Sequence, residues 1–265
     1  MDDEELRDLP TSIAMAWGLR NRPIKGPRRG LSLDRIVRAA IKVAVVDGLA
    51  GVSMSRVADE LGASTMSLYR YLTAKDELLT LMVDTAIGVP PAVVSRRAGW
   101  RKGLSRWAYG LLSGFRLHPW ALQIPIMGLP NTPNQVAWLD AGLNCLATTR
   151  LKENEKASVV LLVSGFVRND ATVSANLLAY YVASGARMTD AMRSYSRLMT
   201  QLSSGNRFPA LHRMLAAGVF DKADPPDVEF AFGLERVLDG IEVLVDKRSM
   251  AGVRKTAARA ARVNS

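Results

Sequence analysis

A run of hydroxyl-bearing, aromatic and basic side chains near residue 70 has the composition of a surface that binds nucleic acid. Its members are Thr65, Met66, Ser67, Tyr69, Arg70 and Tyr71. Hydroxyl groups and cations bind phosphate oxygens, and an arginine can donate two hydrogen bonds to one guanine edge. A helix that exposed these side chains could therefore lie in a DNA groove. An ordinary solvated helix face is the alternative.

The formal net charge of +10 is concentrated in two segments of the chain. Residues 20–30 carry five basic side chains, Arg28 and Arg29 among them, and no acidic one. Residues 247–265 carry six basic side chains and no acidic one, whereas residues 1–19 are acidic. Blocks of positive charge favour a polyanion such as DNA as the partner. Solvated ends that only aid solubility are the alternative, above all for the C-terminal block.

Short helices joined by a tight turn are predicted to position the run near residue 70. A helix over 33–47 comes first, because apolar residues recur there at i, i+3 and i+4. Helices 54–61 and 65–72 follow it, with Gly62 in the turn between them. Two helices of about eight residues separated by a glycine-containing turn form a helix-turn-helix.

A fourth helix, opened by a weak capping box of Thr73 and Asp76, extends to about residue 87. The proline pair at 90–91 then marks a boundary, because proline lacks a backbone donor. Pro125 should kink or shorten the helix in which it lies. Beyond the boundary the helical period returns in seven segments, which are 99–117, 119–128, 133–148, 153–184, 188–203, 208–217 and 226–246.

The sequence around the predicted helix-turn-helix resembles the DNA-binding domain of the TetR family of transcriptional regulators. The resemblance covers about residues 32–87 and rests on LAGVSMSRVADELGAS at 49–64, LYRYL at 68–72 and KDELL at 75–79. The corner Leu117-His118-Pro119-Trp120 and the apolar helices after it resemble the ligand-binding domain of the branch that includes the tetracycline repressor.

These patterns together predict an all-α fold, with an N-terminal three-helix helix-turn-helix domain plus a larger helical ligand-binding and dimerisation domain. We expect a flexible basic arm over 1–31 and the DNA-binding domain over 32–87. The ligand-binding and dimerisation domain would cover 92–246, followed by a basic tail over 247–265.

The resemblance implies DNA-binding roles for a set of positions in and before the helix-turn-helix. Tyr69, Tyr71 and Lys75 would hold phosphates, and Met66 would offer a thymine methyl only apolar contact. Base readout would then depend on Arg70, on a serine of the first helix or on arginines of the arm in the minor groove. Ser53 and Ser64 would cap the two helices, and the whole set is Arg28, Arg29, Ser53, Ser55, Arg56, Ser64, Thr65, Met66, Ser67, Tyr69, Arg70, Tyr71 and Lys75.

Large apolar side chains with a few polar neighbours predict a pocket for an apolar or aromatic small-molecule effector. Ordinary core packing is the alternative for each of them, and Cys145 is expected to be a small core residue. The predicted ligand-binding residues are Met82, Trp107, Leu111, Phe115, His118, Trp120, Ile124, Met127, Trp138, Asn144, Phe166, Asn169 and Asp170.

Helices 153–184 and 226–246 are candidates for a homodimer interface. The second carries a seam of Leu234, Leu238, Ile241 and Val245 at the alternating spacing that packs against a partner helix. Core within one chain is the alternative reading of that seam. A two-fold dimer would match a pseudo-palindromic DNA operator.

The sequence thus predicts a ligand-responsive transcriptional repressor that binds its operator as a homodimer and is released by an apolar small molecule. A DNA-binding module without a small-molecule site is the first alternative, and an all-α enzyme is the second. We found no Gly-x-Ser-x-Gly, phosphate-binding glycine motif or His-Glu-x-x-His. With one cysteine and two histidines, we expect no metal site, no cofactor and a cytoplasmic location. Four prolines interrupt the longest uncharged stretch, 117–139, so no membrane span is expected.

Overall fold

The computed structural model describes residues 9–19, 30–92, 99–203, 207–221 and 227–263, with side chains to residue 251. Within these residues the secondary structure is helical and contains no strand, as the all-α prediction requires. The α-helices are α1 (Thr11–Ala16), α2 (Leu33–Asp47), α3 (Met54–Leu61), α4 (Thr65–Leu68), α5 (Lys75–Ile87), α6 (Trp100–Leu117), α7 (Pro133–Cys145), α8 (Glu153–Ser184), α9 (Met188–Leu202), α10 (Pro209–Ala216) and α11 (Val228–Val263).

Helices α2 to α5 form a small bundle in which α2 packs against both α3 and α5. Its core contains Ile36, Val57 and Leu68, each with no exposed surface. The hydroxyl of Ser32 accepts a hydrogen bond from the backbone N–H of Arg35, so α2 has the side-chain cap that its sequence predicts.

Helix α1 was not predicted, and it corrects the expectation of a flexible arm over the whole of 1–31. Ser12, Ile13 and Ala14 are buried. The Ser12 hydroxyl donates to Glu77 at the start of α5 (2.7 Å), and the Trp17 indole donates to the carbonyl of Asn131 (2.8 Å). A six-residue helix is too short to show a clear apolar period, and these distant contacts hold it in place.

The segment 119–128 forms a short 3₁₀ helix, Pro119–Gln123, where a longer α-helix was predicted. Ile124 adopts an extended backbone conformation directly before Pro125. The ring of a proline clashes with a helical residue before it, so Pro125 ends the element. The expected shortening is therefore confirmed.

Two compact units divide the chain, one of residues 1–171 with 238–265 and the other of residues 172–237. The division falls within α8 and within α11. The second unit contains α9 and α10, the ring contact of Tyr195 with Phe220 (centroids 5.2 Å apart) and the buried Phe230.

Helix α11 continues through the segment that was predicted as a separate basic tail, as far as Val263. Arg248, one of the basic residues of that segment, is not free for a polyanion. Its guanidinium pairs with Glu155 of α8 (Nε to Oε1, 2.9 Å), and this pair lowers the pKa of the Glu155 carboxyl. Among the helices that the structure describes, none combines the length and apolar character needed to span a membrane.

Candidate nucleic-acid interface and effector region

The helix-turn-helix is built from local contacts that fix which side chains face outwards. Ser53 caps α3, because its hydroxyl accepts the backbone N–H of Arg56 (3.2 Å). Gly62 ends α3 in the left-handed conformation (φ 59°), which glycine adopts without strain. With Val57 and Leu68 buried, the outer side of α4 and the turn after it is left to solvent.

The exposed surface that results carries most of the predicted DNA-contacting side chains. Met66 is 75% exposed and Tyr69 is 47% exposed. Ser55, Ser64, Arg70 and Lys75 are exposed as well, and Thr65 and Ser67 are half-buried. We name the exposed side chains Ser55, Ser64, Met66, Tyr69, Arg70 and Lys75 the reading surface.

Two of the residues predicted to contact DNA form hydrogen bonds within the protein. Tyr71 is buried, and its hydroxyl donates to the carbonyl of Leu31 (3.0 Å) instead of pointing to solvent. Arg56 lies between Asp47 (3.0 Å) and Glu60 (3.2 Å), and the hydrogen bonds to these carboxylates raise its pKa. Both residues hold the scaffold in this conformation, and their contacts with DNA stay predictions.

The helix starts near the reading surface differ in detail from the sequence prediction. Helix α4 ends at Leu68, four residues earlier than predicted. Ser64 precedes α4, but its hydroxyl pairs with that of Ser67 (2.7 Å) and caps no backbone N–H. The predicted box partner of Thr73 was Asp76, yet Glu77 accepts the Thr73 backbone N–H (3.0 Å). Helix α5 begins one residue later than the box requires, so Glu77 stands at its third position.

Arg28 and Arg29 lie outside the described residues. On either side of them the backbone is hydrogen bonded, since the N–H of Leu19 donates to the carbonyl of Ala14 (2.8 Å) and the carbonyl of Leu31 accepts from the Tyr71 hydroxyl (3.0 Å).

Two tryptophans of the predicted pocket form a hydrogen-bonded pair inside the larger helical region. The Trp107 and Trp138 rings meet edge to face, with centroids 5.8 Å apart. The Trp107 indole donates to the carbonyl of Trp138 (2.9 Å), and the Trp138 indole donates to the carbonyl of Gly88 at the end of α5 (2.8 Å). Gly142 permits this packing, since a Cβ there would lie 3.3 Å from Trp107.

The corner after α6 contains polar atoms without a hydrogen-bond partner among the described residues. They are Nδ1 of His118 and Nε1 of Trp120, both buried. Burial lowers the pKa of His118, which keeps its imidazole neutral near pH 7. The Arg168 guanidinium lies 5.6 Å from the Phe115 ring centroid and donates to the carbonyl of Ile124 (2.6 Å).

The remaining predicted pocket residues fall into three groups. Met82 is fully buried, and Leu111, Phe166 and Asp170 are half-buried. Met127 and Asn169 are exposed. The side-chain amide of the half-buried Asn144 donates a hydrogen bond to Asp140 in the same helix (2.8 Å).

A shallow cleft of about 230 Å³ that includes open solvent lies beside Trp107. Gly103, Pro91 and Cys145 line it, and burial raises the pKa of the Cys145 thiol. Small-molecule pockets usually measure about 300–1,000 Å³. The cleft is therefore too small for a drug-sized ligand unless neighbouring side chains move.

The predicted dimer seam lies inside the single chain. Leu234, Leu238, Ile241 and Val245 are each at most 8% exposed without any partner chain. Side chains that their own chain already covers offer no surface to a second copy, so the alternative of intrachain core is the correct one. A 3,4-spaced apolar stripe specifies a buried helix face but not which helix covers it.

Comparison with known proteins matches nearly the whole of this architecture. The family description "Bacterial regulatory proteins, tetR family" matches residues 36–82, and "Tetracyclin repressor-like, C-terminal domain" matches residues 95–245. The repressor DrrR1 of Streptomyces coeruleorubidus is 35% identical over 253 residues, which are 91% of this chain and 88% of that protein. The chain belongs to the TetR family.

Solved structures of a TetR-family protein agree. ActR of Streptomyces coelicolor in complex with actinorhodin has a TM-score of 0.67 at 26% identity, over 82% of this chain and 98% of ActR. Apo ActR has a TM-score of 0.63, over 80% and 97% of the two chains. TetR-family regulators bind DNA and small-molecule ligands and act as dimers. This chain is accordingly a DNA-binding, ligand-responsive transcriptional repressor and not an enzyme.

One contact between α5 and the start of α7 is not predicted from the sequence. Asp84 of α5 is only 6% exposed and hydrogen bonds to Thr132 and to the first turn of α7. The available signal was an acidic residue within the apolar stripe of 78–82 and 85–87, where a charge is costly unless it is paired. Its partners lie about 50 positions away, beyond the reach of a periodicity argument.

Proposed function

We propose that two copies of the reading surface, presented by a homodimer, bind successive half-sites of a pseudo-palindromic operator. The observation that carries this proposal is the group Met66, Tyr69, Arg70 and Lys75, exposed on a capped helix-turn-helix scaffold in a TetR-family chain. Half-sites of such operators lie one helical turn apart, or a multiple of it, on one face of the duplex. Because it acts on the chromosome, the protein would work in the bacterial cytoplasm.

The chemistry of the reading surface divides its members into two roles. Tyr69 and Lys75 can hold phosphates, Tyr69 through its hydroxyl and Lys75 through its ammonium group at the start of α5. Arg70 can read a guanine edge, and Met66 can contact a thymine methyl. With few side chains for base edges, specificity would also depend on DNA shape and on Arg28 and Arg29 of the arm.

A homodimer is supported by the apolar side chains that the long helices expose. In the first unit, Leu161 and Leu162 of α8 are 73% and 54% exposed, and Val243 of α11 is 54% exposed. Val159, Val160 and Val163 on the other side of α8 are buried. A helix that is apolar all round has more than one neighbour, and exposed apolar patches mark protein interfaces. We therefore assign the dimer surface to the exposed side of these helices.

We further propose that the effector is an apolar or aromatic molecule with at least one hydrogen-bond acceptor, bound around Phe115, Trp120 and Ile124. The Trp120 indole can only donate, and its buried N–H has no partner among the described side chains. An acceptor oxygen of the ligand would satisfy it. The neutral imidazole of His118 offers a second polar contact 5.8 Å away, between ring centroids.

Protection of DNA upstream of the coding region tests the DNA half of this proposal. A nuclease footprint with two-fold symmetry is expected. Lys75→Ala should weaken this footprint. Lys102 is a similarly exposed lysine of α6, and Lys102→Ala should leave the footprint intact. Absence of any protected fragment at low salt would overturn the assignment.

Tryptophan fluorescence tests the effector half. Actinorhodin and (S)-DNPA, the ligands named for the ActR structures, serve as the first probes. Binding of a probe should quench the fluorescence and release DNA. Trp120→Phe should weaken probe binding, whereas Trp100→Phe should leave it unchanged. The proposed effector region is refuted if neither these probes nor a broad panel of aromatic compounds quenches the fluorescence or releases DNA.

A further inference from the structure

Asp84 is a buried carboxylate whose hydrogen bonds all lead to one place, the start of α7. Its Oδ1 accepts from the hydroxyl of Thr132 (2.5 Å) and from the backbone N–H of Gln135 (2.9 Å). Its Oδ2 accepts from the side-chain amide of Asn134 (3.0 Å), which also donates to the Asp84 carbonyl (3.0 Å). One residue of α5 therefore forms four hydrogen bonds with the N-cap residue and two first-turn residues of a distant helix.

The carboxylate does for α7 what a local capping residue normally does. Thr132 is the N-cap residue of α7, but its hydroxyl accepts no hydrogen bond from an N–H of that helix. It donates to Asp84 instead. The first turn of a helix has unpaired N–H groups and a partial positive charge. Asp84 takes the N–H of Gln135 and places its negative charge there, so the cap of α7 comes from α5.

These contacts allow α5 and α7 little relative movement. Thr132 is fully buried and Asp84 nearly so, and a buried carboxylate that loses its donors is costly. A second contact between the same helices strengthens the joint, since the Trp138 indole of α7 donates to the Gly88 carbonyl that follows α5 (2.8 Å). A displacement of α7 must therefore carry the end of α5 with it.

The other end of α5 belongs to the DNA-binding part. It begins at Lys75 on the reading surface, packs against α2, and holds Thr73 and Ser12 through Glu77. Thus α5 has one end on the proposed DNA interface and the other locked to α7 by Asp84.

We propose that Asp84 is a positioning residue that couples the DNA-binding surface to α7. Occupation of the reading surface by DNA is transmitted to α7 through this cap, and by linkage a change at α7 alters DNA affinity. The inference rests on the proposed DNA-binding function. Without this cap, DNA bound to the reading surface should leave α7 largely unaffected.

Hydrogen exchange of the full chain, with and without duplex DNA, measures this coupling directly. The probe is a mixed-sequence duplex of about 30 base pairs at low salt, long enough for two half-sites. In the parent protein, DNA should slow exchange in α3–α5 and also slow exchange at 136–140 of α7, by about fivefold or more. In Asp84→Asn the slowing in α3–α5 should persist and the slowing in α7 should be lost.

The ratio of exchange rates with and without DNA separates coupling from stability. A purely structural role would speed α7 exchange equally in both conditions and leave the ratio unchanged, which would overturn the proposal. Asp140→Asn is the matched control, because Asp140 is an exposed acid of α7 and, among the described residues, accepts a hydrogen bond from Asn144 of its own helix (2.8 Å). It should retain the parent ratio.

Two further outcomes are distinguishable. Protection of α3–α5 without protection of α7 in the parent would refute the coupling but leave the DNA-binding proposal standing, whereas no protection of α3–α5 would refute DNA binding itself. If Asp84→Asn does not fold, Asn134→Ala serves instead, since it removes two of the four bonds and leaves Oδ1 paired. It should reduce the α7 response, and an unchanged response overturns the proposal.

Discussion

The DNA-binding part and the larger helical region of the same protein show how differently sequence patterns translate into surfaces. In the helix-turn-helix, Ser53 caps as predicted, and Tyr69, Arg70 and Lys75 are exposed as predicted. In the larger region, most of the apolar residues predicted to line a pocket are buried, and Trp107 and Trp138 pack against each other. Exposure in a short motif is set by nearby caps and turns, whereas a pocket depends on side chains from distant segments.

The largest expected effect comes from charges placed on the two sides of the long helices. Leu238→Glu puts an uncompensated carboxylate into a site with no exposed surface, and should cost on the order of 3–5 kcal/mol of unfolding free energy. Chemical denaturation should show loss of the cooperative transition or a much lower midpoint.

Leu162→Glu sharpens this comparison, because Leu162 is 54% exposed in the single chain. We expect a folded protein with a native circular dichroism spectrum that elutes as a monomer in size-exclusion chromatography with light scattering. A dimeric Leu162→Glu protein would contradict the assignment of the dimer surface to the exposed side of α8.

The next effect separates reading residues from scaffold residues. Lys75→Ala should weaken binding to all DNA sequences alike and reduce the slope of log affinity against log salt by about one per subunit. Arg56→Ala should leave that slope unchanged, since Arg56 is engaged with Asp47 and Glu60. Fluorescence anisotropy over a salt series measures both, and equal slopes for the two variants would refute the division.

A smaller effect is expected at the contact between the two regions. Trp138→Phe removes the hydrogen bond to the Gly88 carbonyl and should cost about 0.5–1.5 kcal/mol of stability. Because that bond ends on the residue that follows α5, DNA affinity should change as well. Phe115→Leu, on the other side of the region, should leave DNA affinity at the parent value. Thermal unfolding and anisotropy on both variants check this, and the idea fails if both bind DNA like the parent.

The smallest effect is a pH dependence from His118. Burial holds its pKa below the unfolded value of about 6.5, so the unfolded chain binds the proton more readily. Stability should be full above pH 6.5 and should fall as the pH drops towards the lower folded pKa. His118→Gln should flatten the dependence in that window, as measured by urea unfolding between pH 5 and 7. An unchanged slope in the variant would assign the dependence to other groups.

Local sequence predicted the helices closely where caps or prolines mark their ends. Helix α8 occupies the predicted 153–184, and α3 the predicted 54–61. The prediction missed α1, shortened α11 and lengthened α4, because packing against distant residues decides whether a marginal turn is helical.

The sequence by itself determined the all-α class, the helix-turn-helix and the side chains of the reading surface, since each depends on neighbours within about four residues. Tertiary structure alone decided that Tyr71 and Arg56 serve the scaffold and that the Leu234–Val245 seam is core. It also decided that Asp84 caps a helix some 50 residues away. Periodicity states that a side chain is buried or polar, but only the three-dimensional arrangement supplies the group that covers or pairs with it.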